Sequence, residues 1–282
     1  VDNLPSLAAP GGFAATGLFD VSVLGRNRVY GVIGNDPPLA SQEELGEQAK
    51  RFGRTFFVRN SQGAIKINAD ITQYEIDNNP DGGLIDSNPY ALLAVDGKRI
   101  VADAGGNSLL EVKAADQIKT LAVFPNRLVD APPFLGLPPG AQIPMQSVPN
   151  SVTKGPDGSY YVGELTGFPF PVGGARVYKV DKNGGTPEVY AEGFTNIIDV
   201  TFDKQGNLYV LEITKNGLLQ AEGPGGDPTS QLTKIAPDGT RTVLASAGLA
   251  FASGVAVAPD GEIYVTNFGI FPGQGQVVKI NQ

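Results

Sequence analysis

The sequence predicts an all-β fold, and three observations carry this prediction. Glycine and proline, which favour turns, supply 37 and 22 of the 282 residues and are spread along the chain without a collagen-like period. A pattern of two apolar strands around a tight turn recurs five times. Apolar residues make up 41% of the chain and charged residues 18%, so the chain can bury a sizeable core and is not of a disordered type.

The recurring pattern is a β-hairpin. It occupies residues 20–33, 90–103, 151–164, 199–212 and 254–267. Four copies have glycine at the same place in the turn, namely Gly97, Gly158, Gly206 and Gly261. Four copies have tyrosine at the same offset in the second strand, namely Tyr30, Tyr161, Tyr209 and Tyr264, which we interpret as packing residues rather than catalytic ones. This shared register indicates an internal repeat.

A second hairpin follows most of the repeated ones, so each repeat is expected to form a four-stranded unit. Examples lie at residues 56–67, 177–190 and 232–244. The repeats start 70, 61, 48 and 55 residues apart, which suits propeller blades of about 40–50 residues with loop insertions. The sequence therefore predicts a single β-propeller domain over residues 1–282, built of four-stranded antiparallel blades, with repeats near 17–75, 88–125, 148–192, 195–248 and 251–282.

The number of blades depends on the two ends of the chain. The fifth repeat has material for only three strands, ending near residues 276–280, and residues 1–9 are expected to supply its missing outer strand. This arrangement favours five blades. A six-bladed ring would need one more repeat on the N-terminal side.

Two segments interrupt the repeats. Residues 41–51 are predicted to form a helix, because Ser41 and Glu44 have the spacing of a capping box and acidic residues precede basic ones. Residues 131–150 contain six prolines and are expected to form a long extended connection before the third repeat.

The residue types that are absent exclude several kinds of chemistry. With no histidine and no cysteine, the chain cannot form a Ser-His-Asp triad, a cysteine nucleophile, a disulfide, or a zinc site with imidazole or thiolate ligands. A formal net charge of −8 and a pI near 4.6 argue against nucleic acid as a partner. No apolar run approaches the roughly 20 residues of a membrane helix. No glycine-rich stretch leads from a strand into a helix, so no phosphate loop and no nucleotide are expected. No haem is expected either.

The repeat also predicts a site. The first and last residues of each hairpin are expected to pair across the two strands and so to lie at one end of the blades, at the mouth of a central channel. The first residues are Asp20, Tyr90, Ser151, Asp199 and Gly254, and the last residues are Ile33, Asp103, Glu164, Glu212 and Asn267. Five carboxylates would then converge, raising one another's pKa, and none of the ten positions holds lysine or arginine.

Such a cluster of oxygen ligands suits a hard divalent cation, Ca²⁺ or Mg²⁺, which needs no histidine. The predicted metal ligands are Asp20, Asp103, Glu164, Asp199, Glu212 and Asn267. The alternative is a solvated polar mouth, or acids that hydrogen-bond the backbone amides of neighbouring blades.

Further candidates for ligand binding lie near this mouth. They are Tyr90 and Ser151 at the first positions, Asn196 beside the fourth hairpin, and Phe168 and Phe170 in a proline-containing loop after Glu164. The two phenylalanines could cradle an aromatic ligand or pack the loop over a blade edge. The run at residues 78–88 is rich in oxygen ligands but lacks the spacing of a calcium loop, so an Asx-turn connection is expected there.

Several long stretches resemble a known family. They are residues 78–90 (NNPDGGLIDSNPY), 101–110 (VADAGGNSLL), 131–144 (APPFLGLPPGAQIP), 164–180 (ELTGFPFPVGGARVYKV) and 193–199 (GFTNIID). In these stretches the chain resembles the ScyD/ScyE propellers, a family named after the cyanobacterial gene cluster for the sunscreen pigment scytonemin. The resemblance implies an exported propeller protein, usually grouped with six-bladed, TolB-like rings. The start at Val1, without a leader, likewise suggests export to the periplasm or outside the cell.

Two functions are open at this point. By resemblance, the protein would be an exported factor in assembling an indole-phenol pigment or a related aromatic metabolite, with the predicted cation orienting or polarising the substrate. Alternatively, the propeller would be a non-catalytic module that binds a small ligand or a protein through its loops, with any cation purely structural. The sequence does not decide whether the protein is an enzyme.

Overall fold

The computed structural model describes residues 4–7, 15–35, 45–58, 63–113 and 117–281, and it confirms the predicted all-β propeller fold. Each repeat forms an antiparallel sheet whose strands follow one another in chain order. The chain divides into two compact units. Unit 1 contains residues 1–123, 183–186 and 270–272, and unit 2 contains residues 124–182, 187–269 and 273–282.

Unit 1 contains two four-stranded sheets. The first comprises β1 (Leu18–Leu24), β2 (Arg28–Ile33), β3 (Arg54–Val58) and β4 (Ile65–Asp70). The second comprises β5 (Pro89–Val95), β6 (Lys98–Asp103), β7 (Ser108–Val112) and β8 (Ile118–Val123). Side chains of both sheets, among them Val32, Leu92 and Val101, form one buried apolar cluster. β5, which is buried or half-buried along its whole length, is accordingly a continuous apolar run in the sequence.

Unit 2 begins with a two-stranded hairpin of β9 (Arg127–Asp130) and β10 (Gln142–Met145). This hairpin corrects the prediction of an extended connection over residues 131–150. The prolines between the strands lie in the connecting loop, and Pro144 is tolerated in β10 because a two-stranded sheet leaves one edge of each strand free. A short 3₁₀ helix, Pro133–Leu135, lies within the loop.

Three further sheets complete unit 2. The third sheet comprises β11 (Pro149–Lys154), β12 (Tyr160–Glu164), β13 (Ala175–Val180) and β14 (Glu188–Phe194). The fourth comprises β15 (Ile197–Phe202), β16 (Leu208–Glu212), β17 (Gln231–Ile235) and β18 (Arg241–Ala245). The fifth comprises β19 (Gly254–Val257), β20 (Ile263–Asn267) and β21 (Gln276–Ile280). Tyr161 is buried in the core that the third and fourth sheets share, as expected for a packing residue.

Among the described residues the fifth sheet has three strands, as the sequence predicts. Its completion by residues 1–9 stays a prediction, because only residues 4–7 of that segment are described. Leu7 makes an isolated antiparallel bridge with Thr16, and Leu4 and Leu7 pack against the apolar cluster around Phe56 in unit 1.

The helices differ from the prediction. Gly46–Arg51 is a 3₁₀ helix, and the capping-box residues Ser41 and Glu44 lie outside the described residues. Helix α1 (Ile71–Asn78) was not predicted; Asp70 caps it by accepting a hydrogen bond from the backbone amide of Gln73. A single turn, α2 (Leu218–Ala221), follows the fourth hairpin. Within the described ranges, no helix has the length and apolar character needed to cross a membrane.

The pairing of the repeated hairpins corrects the predicted register. In four of them a β-bulge places one extra residue near the start of the first strand, namely Phe19, Tyr90, Asn150 and Ile198. Asp20 therefore pairs with Val32 rather than Ile33, and Asp199 pairs with Leu211 rather than Glu212. Because a bulge re-aims the side chains on either side of it, the first and last residues do not face each other as predicted.

Candidate functional site

Two of the predicted ligands tie one sheet to the next. In unit 1, Asp20 accepts hydrogen bonds from the backbone amides of Leu92, on β5, and Val21, both at 2.7 Å. In unit 2, Asp199 accepts hydrogen bonds from the backbone amides of Val255, on β19, and Val200, both at 2.8 Å. For these two residues the alternative to a metal site holds: the acids accept hydrogen bonds from backbone amides of the neighbouring sheet.

Three residues that end repeated hairpins accept hydrogen bonds from the segment just before their own hairpin. Asp103 accepts hydrogen bonds from the hydroxyl of Ser87 at 2.8 Å and from the amide of Asn88 at 2.7 Å. Glu212 accepts hydrogen bonds from the backbone amide of Thr195 at 2.6 Å and from the side chain of Gln231 at 3.0 Å. Asn267 accepts one from the backbone amide of Ala250 at 2.8 Å.

Glu164 has a cationic partner that the sequence analysis missed. Its fully buried carboxylate forms an ion pair with Arg127 and accepts a hydrogen bond of 3.0 Å from the backbone amide of Arg176. Arg127 also donates to the carbonyl of Gly174 at 2.9 Å. Arg127 lies on β9, outside the repeated hairpins, so comparing the ten hairpin positions could not reveal it.

Burial, rather than the expected mutual repulsion, is the main cause of the shifted pKa values. Desolvation raises the pKa of Asp20 and that of Asp103 to about 6, although each accepts hydrogen bonds that favour the ionised form. Desolvation also raises the pKa of Glu164 to about 7, against the opposing effect of Arg127. The same cause raises the pKa of Glu212 to about 7.

The predicted cation site can be tested against these contacts. In the part of the chain that the structure describes, no three acidic side chains come together in a way that could hold a metal ion. The carboxylates accept hydrogen bonds from neutral donors, and Glu164 already faces Arg127. As arranged, these residues do not fit Ca²⁺ or Mg²⁺, which need several free oxygen ligands around one point. On these contacts we expect no cation at these residues, and chelation tests this expectation.

The predicted ligand-binding residues fall into different environments. Tyr90 lies in unit 1, where its ring packs on Phe19 with centroids 4.7 Å apart. Ser151 is buried in unit 2, with its hydroxyl directly over Gly163. Asn196 is fully buried and bridges two loops, because its amide donates to the carbonyl of Leu165 at 2.6 Å and accepts from the amide of Leu218 at 2.9 Å. These contacts give Tyr90 and Asn196 a packing and a clamping role.

Phe168 belongs to an exposed apolar surface of unit 2, and the half-buried Phe170 lies beside it. Phe168 contacts Phe134 edge-on, with centroids 6.2 Å apart, and Phe170, with centroids 6.5 Å apart. Phe134 is 65% exposed and Phe168 is 40% exposed. We call this area the aromatic surface, which comprises Phe134 and Phe168 with the exposed Leu135, Leu137 and Val172 of the same two loops. Exposed aromatic side chains that contact one another offer edges and faces for stacking with a further ring.

The two loops of the aromatic surface are firmly held. Residues 165–167 pair with residues 146–148 through three backbone hydrogen bonds of 2.9 to 3.0 Å. Arg127, which starts the hairpin that carries Phe134, bonds to Gly174 at the far end of the loop that carries Phe168. The surface is therefore a fixed feature of the fold, as a binding site on a rigid scaffold should be.

The bulge of the third sheet also holds a buried polar residue that was not predicted. Asn150, the bulged residue of β11, is 2% exposed, and neither atom of its side-chain amide has a hydrogen-bond partner. Comparing the repeats one position earlier, at Phe19, Asn150 and Ile198, would have shown an unexpected polar residue there.

No family model matches the chain, and no curated protein matches it. Solved structures do match. The chain is similar to one in a nidogen/laminin complex, with a TM-score of 0.55 and 14% identity over 90% of this chain and 73% of that one. It is similar to a putative gluconolactonase, with a TM-score of 0.54 and 14% identity over 99% of this chain and 78% of that one. It is also similar to a calcium-binding protein, regucalcin, from Agrobacterium tumefaciens, with a TM-score of 0.50 and 15% identity over 91% and 72% of the chains. Likeness at this identity shows the fold, a β-propeller, and no more.

Proposed function

We propose that the protein is a ligand-binding β-propeller that takes a small aromatic molecule on the aromatic surface of unit 2. The observation that carries the proposal is the edge-on contact between the exposed rings of Phe134 and Phe168. Each exposed ring keeps apolar area in water, and stacking with a ligand ring would remove that area from water. The resemblance to the ScyD/ScyE propellers supports the same class of ligand, an indole- or phenol-containing metabolite.

The proposal assigns binding and no reaction. The carboxylates that a reaction would use are engaged elsewhere, since Asp199 bonds to Val255 and Glu164 is fully buried against Arg127. A general base must come within hydrogen-bond reach of its substrate; Glu164 is fully buried, and both carboxylate oxygens of Asp199 already accept hydrogen bonds from backbone amides. A role in assembling a scytonemin-type pigment would then consist of holding an aromatic precursor for another protein to convert.

The predicted periplasmic or extracellular location belongs to this proposal and has its own test. Antibodies against the protein should detect it in the periplasmic fraction or the medium of the source cells, beside a cytoplasmic marker that stays in the cell. Detection in the cytoplasm alone would remove export from the proposal.

Ligand binding can be measured with indole as the probe. The chain has no tryptophan, so the fluorescence of indole can be followed by exciting at the long-wavelength edge of its absorption, where the nine tyrosines absorb little. The expected dissociation constant is about 0.1–1 mM, because a ligand this small cannot gain much more. Phe168→Ala and Phe134→Ala should each weaken binding by about three- to tenfold, which is the usual strength of an aromatic pair.

The matched control is Val277→Ala, which truncates an equally exposed apolar side chain on β21. It should leave the affinity for indole unchanged. If wild type does not bind indole, or if all three variants bind as wild type does, the aromatic surface is not the ligand site. If the aromatic surface binds no aromatic molecule but binds a protein partner, the alternative function, a protein-binding propeller, is favoured.

A further inference from the structure

We propose that an exposed loop of unit 1, residues 79–88, is a docking site for another protein, and that this partner presents lysine or arginine beside apolar side chains. The loop, which we call the acidic loop, connects helix α1 to β5. The inference goes beyond the proposed function and does not depend on it, because the aromatic surface belongs to unit 2.

Two neighbouring apolar side chains of the acidic loop are exposed to solvent. Leu84 is 83% exposed and Ile85 is 60% exposed. Ile76, on the helix that leads into the loop, is a further exposed apolar residue of this segment. Contact with a partner would remove this apolar surface from water, which favours binding.

The polar side chains of the acidic loop hold it in this conformation. Asn79 donates a hydrogen bond of 3.0 Å to the carbonyl of Gly83. Asp81 accepts one of 2.7 Å from the amide of Gly83, which is an Asx turn as expected from the sequence. Asp81 also accepts one of 3.0 Å from the side chain of Asn107, which precedes β7. Because these polar groups bond within the protein, the outward position of the two apolar side chains is a fixed feature of the loop.

The acidic loop carries negative charge that no basic residue of the chain balances. Residues 67–97 contain no lysine or arginine. In the described parts of the chain, no ion pair involves any of the four carboxyl groups in the loop and next to it, which are Asp81, Asp86, Glu75 and Asp103. Uncompensated charge of one sign attracts a partner of the opposite sign.

The buried Glu75 adds to this uncompensated charge. It is 1% exposed, and its Oε1 atom has no hydrogen-bond partner. Its Oε2 atom and the Oδ2 atom of Asp103 lie 2.7 and 3.3 Å from the position that a Cβ atom on Gly106 would take, so the two carboxyl groups are close together. Burial raises the pKa of Glu75, and the charges of Asp103, Asp81 and Asp86 raise it further. A cation bound at the surface of the loop would therefore relieve repulsion among these groups.

The charge of the loop also selects among the partners that could cover it. A second copy of this chain would bring the same acidic loop and a formal net charge of −8, so two copies would repel each other here. Nucleic acid and anionic lipid would be repelled for the same reason. Exposed Leu84 and Ile85 between the acidic Asp81 and Asp86 fit a protein segment in which basic and apolar side chains alternate.

The test measures the binding of a short, fluorescein-labelled peptide of alternating lysine and leucine by fluorescence anisotropy. Two further peptides have glutamate in place of lysine, or serine in place of leucine. Wild type should bind the lysine–leucine peptide about tenfold more tightly than either of them. Leu84→Ser should weaken this binding by about tenfold, because a leucine buried by the peptide is lost. Asp86→Asn should weaken it by about two- to fivefold, since an exposed ion pair contributes little.

The matched controls are Val277→Ser and Glu222→Gln, which remove an exposed apolar side chain and an exposed charge from unit 2. Both should bind the lysine–leucine peptide as wild type does. If wild type binds the three peptides equally well or not at all, or if Leu84→Ser and Asp86→Asn both retain the wild-type affinity, the inference is overturned. Wild-type dimers that Leu84→Ser abolishes in analytical ultracentrifugation would also overturn it, because a second copy would then cover the loop. The indole assay tests the proposed function separately.

Discussion

Asp199 joins the fourth sheet to the fifth, because its Oδ2 atom accepts a hydrogen bond of 2.8 Å from the backbone amide of Val255. Asp20 makes the same contact with Leu92 in unit 1, at 2.7 Å. Val255 and Leu92 lie on the first strand of their sheets, which has one edge without a strand neighbour. The carboxylate therefore satisfies an amide that the sheet's own ladder leaves open.

Replacing Asp199 should destabilise unit 2. Asp199→Ala removes a charged acceptor from two backbone amides, and the expected loss in the free energy of unfolding is about 1.5–3 kcal/mol. Asp199→Asn keeps one acceptor and should lose less. Urea unfolding followed by circular dichroism measures both. Asp130→Ala, at the exposed end of β9, is the control and should change stability by less than about 0.5 kcal/mol. Equal losses for Asp199→Ala and the control would contradict the assigned role.

The protein should become less stable as the pH rises from about 4.5 to about 7. The pKa of Glu212 is raised from 4.5 to about 7 in the folded state, so the folded state binds the proton more tightly than the unfolded state does. Stability from this group is therefore full below about 4.5 and is lost as the pH rises through the folded-state pKa. Glu164 and Glu75 shift in the same direction, also to about 7.

Glu212→Gln isolates one such group. In this variant the free energy of unfolding should fall less between about pH 4.5 and 7, by at most about 3 kcal/mol less than in wild type, because a glutamine has no proton to release. Melting temperatures at pH values across this window provide the measurement. The exposed Glu188→Gln on β14 is the control and should retain the full wild-type slope. An unchanged slope in Glu212→Gln would show that Glu212 does not titrate in this window.

Removing divalent cations should leave the stability of the protein unchanged. The predicted ligands Asp20, Asp103, Asp199 and Glu212 accept hydrogen bonds within the chain, and Glu164 is paired with Arg127. Metal analysis together with thermal melting before and after chelation tests this. A melting temperature that falls on chelation and recovers with added Ca²⁺ would restore the cation predicted from the sequence, since a ligand that binds only the folded state raises its stability.

Asn150→Leu should make the free protein more stable. The change removes two unpartnered amide atoms. It also gives the bulge of the third sheet an apolar side chain, as the equivalent bulge of the fourth sheet already has in the buried Ile198. We expect a gain of about 1 kcal/mol, seen as a rise in melting temperature of about 2–4 °C for a chain of this size. A strong loss of stability would mean that Asn150 has structural partners instead.

Gly163 should not tolerate a larger residue. A Cβ atom added there would lie 2.3 Å from the hydroxyl of Ser151 and 2.7 Å from a methyl carbon of Ile197. Both distances are too short, so β12 and β15 would have to move apart. Gly163→Ala is expected to lower the free energy of unfolding by about 1–3 kcal/mol. Gly275→Ala is the control, because no atom lies within 4 Å of its added Cβ. Chemical denaturation compares the two.

The sequence by itself determined the strands of the repeats, their grouping and the propeller fold, but not the hairpin of β9 and β10. Glycines at fixed turn positions, such as Gly158 and Gly206, and alternating or continuous apolar runs are local signals that set backbone angles and burial. Helix α1 escaped this reasoning, because its cap, Asp70, directly follows a strand and its apolar periodicity is weak.

Only the tertiary structure decided what the polar residues of the repeats do. A bulge of one residue changed which side chains face each other: Tyr90, aligned with Asp20 in the repeat, is equivalent in the structure to Phe19 and Asn150. Arg127 reached Glu164 from a hairpin outside the repeats. Hydrogen bonds between residues far apart in the chain depend on register and packing, which strand propensity does not specify. The repeat pattern therefore identified the carboxylates, whereas their hydrogen-bond partners could be known only from the tertiary structure.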